Sequence, residues 1–444
     1  MLTREDNEIL TRVGPGTLMG NLLRRYWLPA CLSCEISEPD CTPLRVRLLG
    51  EDLVAFRDTR GQVGLLEEHC PHRGASLFFG RNEECGLRCV YHGWKFDTTG
   101  QCVDQRSERR SFAHRIRTTA YPVHESGGIL WAYLGPPATM TPFRDAGTDA
   151  LEPEQWTANK EIVGCNWVQS MDGDVDTAHI SNLHQYNAID DLPDDGTDRP
   201  GYPSHFMSMK LWRHDPRSLI EIEETWHGFR YAGIRETPNG HRHARITAYL
   251  FPSTTMIGFV PFTTRQIAVV PADDEHTYRY NFDTLPPERR PDLGGAAFFN
   301  APGYPFEMLP PRGVVRRTHR LDNDYLIDRQ AQRRATYTGI SDFRSHDMMA
   351  TETAGRIFDR TREHLGSGDR AVVRMHKLLI DAAKGLAAGR EPPVLAGAGD
   401  FRSIHGAEKI LEPHEDWRLL GTNDDPTVQQ AGFSSAVLTT ARPD

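Results

Sequence analysis

The sequence Cys70-Pro-His72 is followed, after sixteen residues, by Cys89-Val-Tyr-His92. Each segment offers one thiolate and one imidazole, a mixture that suits a two-iron, two-sulfur cluster in which histidines replace two cysteines. The alternative is a zinc site with two cysteines and two histidines, but zinc sites usually group the cysteines as one pair and the histidines as another. The alternating order therefore favours a cluster with Cys70 and Cys89 on one iron and His72 and His92 on the other, held in two hairpin loops.

A second group of possible metal ligands follows in the segment Asp172-Gly-Asp174-Val-Asp176-Thr-Ala-His179-Ile-Ser-Asn-Leu-His184. Two histidines at this spacing would, on their own, usually be ordinary surface or core residues. His179 and His184 would lie about 140° apart around an ideal helix, so they can bind one metal only if the helix bends or ends between them, and Ser181-Asn182 is a plausible place. Asp176 would share the helix face of His179, since the two residues are three positions apart. Two histidines and a distant carboxylate form the facial triad of non-haem iron(II), which leaves positions open for dioxygen and substrate.

These motifs resemble those of one enzyme family, the large (alpha) subunits of the Rieske non-haem iron aromatic ring-hydroxylating oxygenases. The resemblance rests on Cys-Pro-His-Arg-Gly, on Cys-Val-Tyr-His-Gly-Trp and on Asp-x2-His-x4-His. The segment from Gly14 to Pro29 is similar to the opening segment of the phthalate dioxygenase-like branch. The resemblance covers nearly the whole chain and implies two cofactors, a Rieske [2Fe-2S] cluster and a mononuclear Fe(II). Tyr91 and Trp94 would shield the cluster next to its ligands.

The family implies a third iron ligand from an aspartate far downstream, at the start of a late helix. The segment Arg344-Ser-His346-Asp347 fits, because it opens an amphipathic stretch in which the helix dipole favours an acid. We choose Asp347 as the ligand; Asp342 is the nearest rival and Asp359 is a weaker one. We expect His346 to face solvent or to contact a ligand rather than to bind the iron.

The resemblance also gives Asp176 a role in electron transfer. In this family the cluster of one subunit works with the iron of its neighbour, so we expect a homotrimer or a dimer of trimers. Asp176 would accept hydrogen bonds from His92 of one subunit and His179 of the next, and would thereby fix both rings and couple the two sites. Asp172, one helical turn earlier, would support it, whereas Asp174 lies off that face and is expected to be solvated.

Composition limits the other possibilities. The chain has 444 residues, a hydrophobic content of 38% and a net charge of -10, which argues against a nucleic-acid surface. No run approaches the ~18 apolar residues of a membrane span, and the N-terminus has no signal pattern, so we expect a cytoplasmic protein. Eight cysteines in a chain this long do not indicate a disulfide framework. We expect the six outside the cluster motifs to be buried thiols: Cys31, Cys34, Cys41, Cys85, Cys102 and Cys165.

Hydrophobic patterning predicts an α+β protein with three regions. Residues 1–43 form a lead-in that packs on the catalytic domain, and residues 44–138 alternate as short antiparallel strands between turn glycines, an all-β Rieske domain. Residues 139–444 form the catalytic domain, an antiparallel sheet capped by helices. Within it, Trp167 to His184 is expected to be helical. The acidic loop 190–198 is expected to be solvated, with a rim of the active site as the alternative.

The resemblance implies an oxygenase component that uses O2 and electrons to hydroxylate an aromatic carboxylate of the phthalate or benzoate type. No Gly-x-Gly-x-x-Gly opens a helix, so the electrons are expected from a separate NAD(P)H reductase with flavin and iron–sulfur centres. A carboxylate substrate calls for a guanidinium. The strands that would wall the pocket carry Arg230, Arg235, Arg245 and Arg265.

Two alternative functions stay open. One is O-demethylation of a methoxylated aromatic acid by a monooxygenase with the same metals. The other, from a different class, is a non-catalytic Rieske electron carrier. The His-x4-His pair with its preceding aspartate argues against the carrier, which has no need of an open iron site.

Overall fold

The structure, a computed structural model, describes residues 1–144, 156–186, 205–259, 263–284, 306–309, 314–393 and 399–422. The predicted acidic loop 190–198 lies outside these residues. The helices within them are α1 (Arg4–Thr11), α2 (Leu18–Leu23), α3 (Trp167–Val175), α4 (His205–His214), α5 (Arg329–Arg334), α6 (Phe343–Glu352) and α7 (Arg370–Ala387). The strands are β1 (Trp27–Leu32), β2 (Leu44–Leu48), β3 (Glu51–Arg57), β4 (Val63–Glu67), β5 (Arg81–Asn82), β6 (Leu87–Arg88), β7 (Trp94–Phe96), β8 (Cys102–Gln105), β9 (Val123–Ser126), β10 (Ile129–Tyr133), β11 (Trp156–Val163), β12 (Leu219–Thr225), β13 (Gly228–Glu236), β14 (Arg242–Leu250), β15 (Thr254–Phe259), β16 (Thr263–Pro271), β17 (Thr277–Thr284), β18 (Phe306–Leu309), β19 (Val314–Arg317) and β20 (Ala407–Leu411).

Strands β1 to β10 form three small sheets, which we call the N-terminal β region. Their orders are β1-β10-β9, β2-β3-β4 and β5-β6-β7-β8, with antiparallel neighbours throughout. Val54 and Phe56, two positions apart on β3, point to the same side and pack in one core with Leu66 of β4. The turn of the β6–β7 hairpin and the loop after β4 contain the two cluster motifs.

Strand β1 connects the predicted lead-in to this β region. It lies within residues 1–43 and pairs with β10, the last strand of the region. The two helices before it, α1 and α2, pack against α7 of the C-terminal part in one buried apolar cluster. The lead-in thus contacts both parts of the molecule. The division of the chain into residues 1–43, 44–138 and 139–444 stays a prediction.

Within the described residues, the C-terminal part is built on a 10-stranded sheet in the order β12-β13-β14-β15-β16-β17-β11-β19-β18, with β20 paired to β14. Neighbouring strands are antiparallel except β11 and β19, which run parallel. Helix α3 packs on β15 and β16, and α7 packs on β12. The predicted α+β fold, a β domain followed by a helix-capped and mainly antiparallel sheet, is confirmed. Within the described residues, no helix has both the length and the apolar composition that crossing a membrane requires.

Helix α3 ends at Val175, before both the break predicted at Ser181-Asn182 and the predicted end at His184. Asp176 is its C-cap and has extended backbone angles (φ -84°, ψ 127°). The Asp176 carboxylate accepts hydrogen bonds from the backbone N–H groups of Ala178 and His179, at 2.6 and 3.2 Å. A side chain that binds nearby backbone amides competes with the helix for them. The prediction of a helix that continues past these residues is therefore wrong, and Asp176 meets His179 through a turn.

The cysteines outside the cluster motifs differ in burial. Cys31, Cys102 and Cys165 are buried, as expected, but Cys34 is exposed and Cys41 and Cys85 are partly exposed. The expectation of buried thiols is wrong for these three. Cys34 lies in a short 3-10 turn directly after β1, so its side chain is no longer held in the alternation of the strand.

A buried ion pair joins the N-terminal β region to the large sheet. Nζ of Lys160, on β11, lies 2.8 and 2.7 Å from the two carboxylate oxygens of Glu35, and both side chains are almost fully buried. Glu35 also accepts a hydrogen bond from the backbone N–H of Leu32 at the end of β1. Because a buried charge without its partner is strongly unfavourable, this contact couples the stability of the two parts.

We predict that Lys160→Met lowers the free energy of unfolding by ~3–5 kcal/mol, because it leaves the Glu35 carboxylate buried and unpaired. Adding Glu35→Gln should recover much of this loss, since the amide keeps the acceptor for Leu32 and removes the buried charge. Chemical denaturation followed by circular dichroism measures both changes. A double variant as unstable as Lys160→Met alone would contradict this reasoning.

Candidate metal centres and active site

The two cluster motifs adopt the same backbone turn. In each, a glycine donates its N–H to the carbonyl of the cysteine four positions earlier: Gly74 to Cys70 at 2.8 Å and Gly93 to Cys89 at 2.9 Å. Both glycines have positive φ, 72° and 74°, a conformation that other residues rarely adopt. The repeated spacing of cysteine and glycine therefore gives two matching loops.

The four predicted cluster ligands lie side by side. The thiols of Cys70 and Cys89 hydrogen-bond to each other, which raises the pKa of Cys70 and lowers the pKa of Cys89 to about 6. The ring centres of His72 and His92 are 4.4 Å apart. Nδ1 of His72 is buried and has no hydrogen-bond partner among the described residues, which fits a nitrogen kept for a metal. A thiol pair beside an imidazole pair is the donor set of a Rieske-type [2Fe-2S] cluster.

Two aromatic side chains contact the imidazoles of these loops. Trp94, 4% exposed, stacks on His72 with ring centres 4.3 Å apart and ring planes 7° apart. Tyr91 contacts His92 with ring centres 3.9 Å apart, and 55% of its surface is exposed. Trp94 thus covers the cluster site from the protein interior, while Tyr91 belongs to its outer surface.

Three side chains converge at the second predicted metal site. Nε2 of His184 lies 3.0 Å and Nε2 of His179 lies 3.5 Å from Oδ1 of Asp347. The three ligand atoms all lie within 4.8 Å of one another. Two imidazole nitrogens and one carboxylate oxygen are the donors that non-haem iron(II) prefers, so this group could hold a mononuclear iron.

Each imidazole is held from the edge that does not face Asp347. Nδ1 of His179 lies 3.2 Å from Oδ2 of Asp176, and Nδ1 of His184 lies 3.2 Å from Nδ1 of His346. Because a carboxylate only accepts, His179 carries a proton on Nδ1, and its Nε2 is available to a metal. The donor set and the orientation of the rings therefore both fit an iron site.

Charges around this group keep the carboxylate ionised. Burial disfavours the charged form of Asp347, but His184, His179 and Arg344 outweigh burial and hold the pKa of Asp347 well below its ordinary value. Burial lowers the pKa of His184 to about 4. Burial also opposes protonation of His179, but Asp176 and Asp347 outweigh burial and raise the pKa of His179. Metal binding requires both imidazoles in the neutral form beside the ionised carboxylate, so a metal would displace any second proton from His179.

The two earlier acids of the His179 segment have other partners. Asp172 accepts hydrogen bonds from Arg360 and from His376 of α7, each at 2.6 Å, and so ties α3 to α7. Asp174, expected to be solvated, is buried and forms a two-bond ion pair with Arg279 of β17, at 2.7 and 2.9 Å. That expectation is wrong because the partner lies 105 positions away on a strand, where no local pattern indicates it.

The two alternative candidates for the third iron ligand, Asp342 and Asp359, are not part of the converging group. Asp342 is the buried N-cap of α6 and accepts a backbone N–H of its first turn. Asp359 is exposed and caps a short 3-10 turn. Neither belongs to the group of converging ligand atoms. His346 is only 1% exposed and contacts His184, so the alternative that placed it towards solvent is wrong.

A pocket lies beside the converging residues. Its walls include Asp176, Ile180, Trp212, Arg245, Ile257, Ile267, Phe343 and Arg344. Of the predicted arginines, Arg245 lines this pocket and donates to Oγ1 of Thr177 at 3.1 Å. Arg235 is buried close by and donates to the carbonyl of Thr177 at 2.8 Å and to Oγ of Ser181 at 3.2 Å. Burial and the nearby Arg245 lower the pKa of Arg235 to about 10, so two guanidinium groups lie close together on this side of the pocket.

The other two predicted arginines, Arg230 and Arg265, are not among the described residues that line this pocket. Arg230 donates to Glu223 and to two backbone carbonyls of the C-terminal segment. Arg265 lies on β16, but its side chain is outside the described residues. Arg344, which was not predicted as a site residue, has its Nη1 3.4 Å from Oδ2 of Asp347. Its position three residues before Asp347 was the available signal, since residues three apart share one face of a helix.

Comparison with known proteins assigns the chain to a family. Residues 26–122 match the Rieske [2Fe-2S] domain, and residues 132–439 match the family described as LigXa C-terminal domain like. The chain belongs to the Rieske non-haem iron oxygenases. Like its relatives, this Rieske oxygenase is an oxidoreductase, and its cofactors are the [2Fe-2S] cluster and a mononuclear iron. The zinc site and the non-catalytic electron carrier are thereby excluded.

Relatives of this Rieske oxygenase align over most of its length. The oxygenase subunit of phthalate 4,5-dioxygenase from Pseudomonas putida is 36% identical over 94% of both chains. The oxygenase subunit of 3-chlorobenzoate-3,4-dioxygenase from Comamonas testosteroni is 34% identical over 94% of this chain and 97% of the relative. The oxygenase subunit of 5,5'-dehydrodivanillate O-demethylase from Sphingobium sp. is 32% identical over 89% of this chain and 84% of the relative. Among solved structures, dicamba monooxygenase bound to dicamba has the same fold, with a TM-score of 0.55 and 19% identity over 83% of this chain and 99% of that chain.

We predict that Asp347→Ala lowers the iron content from about three to about two per chain, while the spectrum of the Rieske cluster is unchanged. The variant removes the only carboxylate of the converging group, and two imidazoles alone bind iron(II) weakly. Iron analysis and electron paramagnetic resonance of the reduced protein measure the two centres separately.

Asp342→Ala is the matched control, because it removes a buried acid from the start of the same helix. It should cost about 1 kcal/mol of stability through the lost N-cap, and more through the lost contact with the buried Arg317, but it should keep the full iron content. If Asp342→Ala loses the mononuclear iron and Asp347→Ala keeps it, Asp342 is the ligand.

Proposed function

We propose that this Rieske oxygenase hydroxylates an aromatic carboxylate of the phthalate or benzoate type. The observation that carries the proposal is the pocket beside His179, His184 and Asp347, which combines apolar walls with the guanidinium of Arg245. Two relatives that are 36% and 34% identical are named as phthalate and 3-chlorobenzoate dioxygenase subunits. Both of those names refer to benzene rings that carry carboxylates, which supports an anionic aromatic substrate here.

The pocket residues suggest how such a substrate is held. Ile257, Ile267 and Phe343 would pack against the aromatic ring, and Arg245 would bind the carboxylate, since a guanidinium matches two carboxylate oxygens. Arg235 adds positive charge behind Arg245. This local charge is needed because a chain with a net charge of -10 does not by itself attract an anion.

The other residues have distinct roles in this proposal. His179, His184 and Asp347 would hold the iron, which supplies the activation of dioxygen when electrons arrive from the cluster. Arg245 would fix the substrate at one distance from these ligands, and such positioning removes much of the entropy cost of the reaction. The apolar walls would exclude water from the site.

We infer that Asp176 couples the two metal centres across subunits of a homotrimer or a dimer of trimers. Its carboxylate is within 3.2 Å of Nδ1 of His179, and 22% of its side chain is exposed, which leaves room for a second donor. His92, next to the exposed Tyr91, would be that donor from a neighbouring subunit. A carboxylate between two imidazoles would fix both rings and link the centres.

The electrons would come from a separate NAD(P)H-dependent reductase with flavin and iron–sulfur centres. The relatives are named as oxygenase subunits, that is, as parts of larger systems, which supports this arrangement.

O-demethylation is the second candidate function. The observation in its favour is the O-demethylase subunit that is 32% identical over 89% of this chain. The two functions require the same residues, so product analysis must separate them.

We predict that the reduced protein converts phthalate or 3-chlorobenzoate to products in which oxygen-18 from labelled dioxygen is bound to the ring. The corresponding methyl esters should be poor substrates, because they lack the charge that Arg245 binds. Mass spectrometry of the products measures the incorporation. Formaldehyde from methoxybenzoates without ring hydroxylation would favour the second candidate, and no turnover of any benzoate-type acid would overturn the proposal.

The same assay tests Arg245. Arg245→Met should lower kcat/KM for the acid about 10- to 100-fold, since a charge-assisted hydrogen bond contributes roughly 1.5–3 kcal/mol. The control is Arg242→Met, the same change at an exposed arginine of the same strand. Equal effects of the two variants would argue against a carboxylate site at Arg245.

We predict that Asp176→Asn keeps both metal centres but oxidises its reduced cluster far more slowly than wild type. The amide preserves the shape and removes the charge that holds the two imidazoles, an interaction typically worth ~1.5–3 kcal/mol. Single-turnover oxidation of the reduced cluster, with substrate and dioxygen present, measures the rate. If the reduced cluster of Asp176→Asn is oxidised at the wild-type rate, Asp176 does not couple the two centres, and the argument for a trimer linked through it fails.

A further inference from the structure

His346 contacts His184 through the ring edge that does not face Asp347. Its Nδ1 lies 3.2 Å from Nδ1 of His184. Its Nε2 lies 2.9 Å from the backbone carbonyl oxygen of Ile340 and 3.0 Å from Oγ1 of Thr338. Only 1% of His346 is exposed, so protein groups rather than bulk water determine which of its nitrogens carries a proton.

The carbonyl of Ile340 places that proton on Nε2. A carbonyl oxygen can only accept a hydrogen bond, so Nε2 of His346 must donate to it. Oγ1 of Thr338 already accepts the backbone N–H of Ile340 at 3.2 Å and adds a second oxygen near the same nitrogen. The opposite tautomer would hold a nitrogen lone pair 2.9 Å from the carbonyl oxygen, with no hydrogen between them.

This choice determines the tautomer of His184. A neutral imidazole has one N–H, so His346 with its proton on Nε2 offers a lone pair at Nδ1. The hydrogen between the two rings must then belong to Nδ1 of His184. Oδ1 of Asp347 lies 3.0 Å from Nε2 of His184 and, by the same rule, attracts a proton to that nitrogen as long as no metal is bound. A metal bound by both atoms would replace this hydrogen bond, so that Nε2 of His184 offers its lone pair to the metal and Nδ1 keeps the proton that His346 accepts.

We propose that His346 is a positioning residue that fixes the metal-binding tautomer of His184 and orients its ring towards Asp347. The inference rests on the iron site of the proposed function. The two imidazoles would then be oriented by different means, His179 by the anionic Asp176 and His184 by a neutral histidine. A neutral acceptor avoids a further buried negative charge close to Asp347, which would be costly.

The test is Co(II) binding by the full-length protein from which the mononuclear iron has been removed and in which the Rieske cluster is intact. His346→Leu deletes the acceptor and should weaken Co(II) binding roughly 10- to 100-fold. His346→Asn is the matched variant, because its amide oxygen can take the place of Nδ1 as the acceptor. Its affinity should stay close to that of wild type.

Proton NMR of the Co(II) protein gives a readout that a packing role would not change. The ring N–H protons of histidines bound through Nε2 are shifted by the paramagnetic ion and disappear in heavy water as they exchange. Wild type and His346→Asn should each show two slowly exchanging signals, one from His179 and one from His184. His346→Leu should keep only the signal of His179.

Several outcomes would overturn the proposal: wild-type affinity with two slow signals in His346→Leu, or an equal loss of affinity in the leucine and asparagine variants. If the leucine variant does not fold, the wild-type spectrum still decides, because a single slow signal there contradicts the proposed hydrogen bond. His184→Ala tests the iron site itself. If this variant binds Co(II) as tightly as wild type, the metal is held elsewhere, and the proposed function rather than the tautomer is wrong.

Discussion

The iron site depends on where helix α3 ends, and the carboxylate of Asp176 ends it. This carboxylate accepts the backbone N–H groups of Ala178 and His179 and lies within hydrogen-bond distance of the His179 ring. If the helix continued, His179 and His184 would lie about 140° apart and could not reach one metal. The turn instead brings Nε2 of both rings to Oδ1 of Asp347. The carboxylate of Asp176 thus determines both the path of the backbone and the orientation of the His179 ring.

Buried charges fix the helix that supplies the third member of this group. Glu161 on β11 lies 2.7 Å from Arg317 and 4.0 Å from Arg344, and Arg344 lies 3.4 Å from Asp347. Burial opposes the ionisation of Glu161, yet Arg317 and Arg344 outweigh it and lower its pKa to about 2. Well-packed apolar residues could supply equal stability. The charged groups also fix the orientation of the side chains they join, because a planar guanidinium allows few arrangements of oxygen atoms around it.

The sequence predicts those parts of the site that consecutive residues build, and misses those that depend on contacts between distant elements. The cluster loops follow from the spacing of cysteine, histidine and a glycine with positive φ, all within one turn. Asp347 is predicted from a family resemblance and from its place at the start of a helix, which is weaker evidence than a fixed spacing. The structure nevertheless brings this residue to the two histidines. Asp174 looked solvated because its partner, Arg279, lies 105 positions away. The end of α3 was missed because helix patterning does not register a side chain that competes for backbone amides.

The two metal sites differ in how far their surroundings reach the surface. Cys70 and Cys89 are each 2% exposed, but the loop residues Val90 and Tyr91 beside them are 57% and 55% exposed. At the iron site the side chain of His184 is 3% exposed and those of His179 and Asp347 are each 22% exposed. Electron exchange between proteins requires a cluster near the surface, because the rate falls steeply with distance, while oxygen chemistry requires a site from which water is excluded. Asp176, whose side chain is 22% exposed, lies at the edge of the buried site and touches a ligand ring within it. The proposed coupling across subunits needs such a residue, since it can meet a donor at the surface without opening the pocket to water.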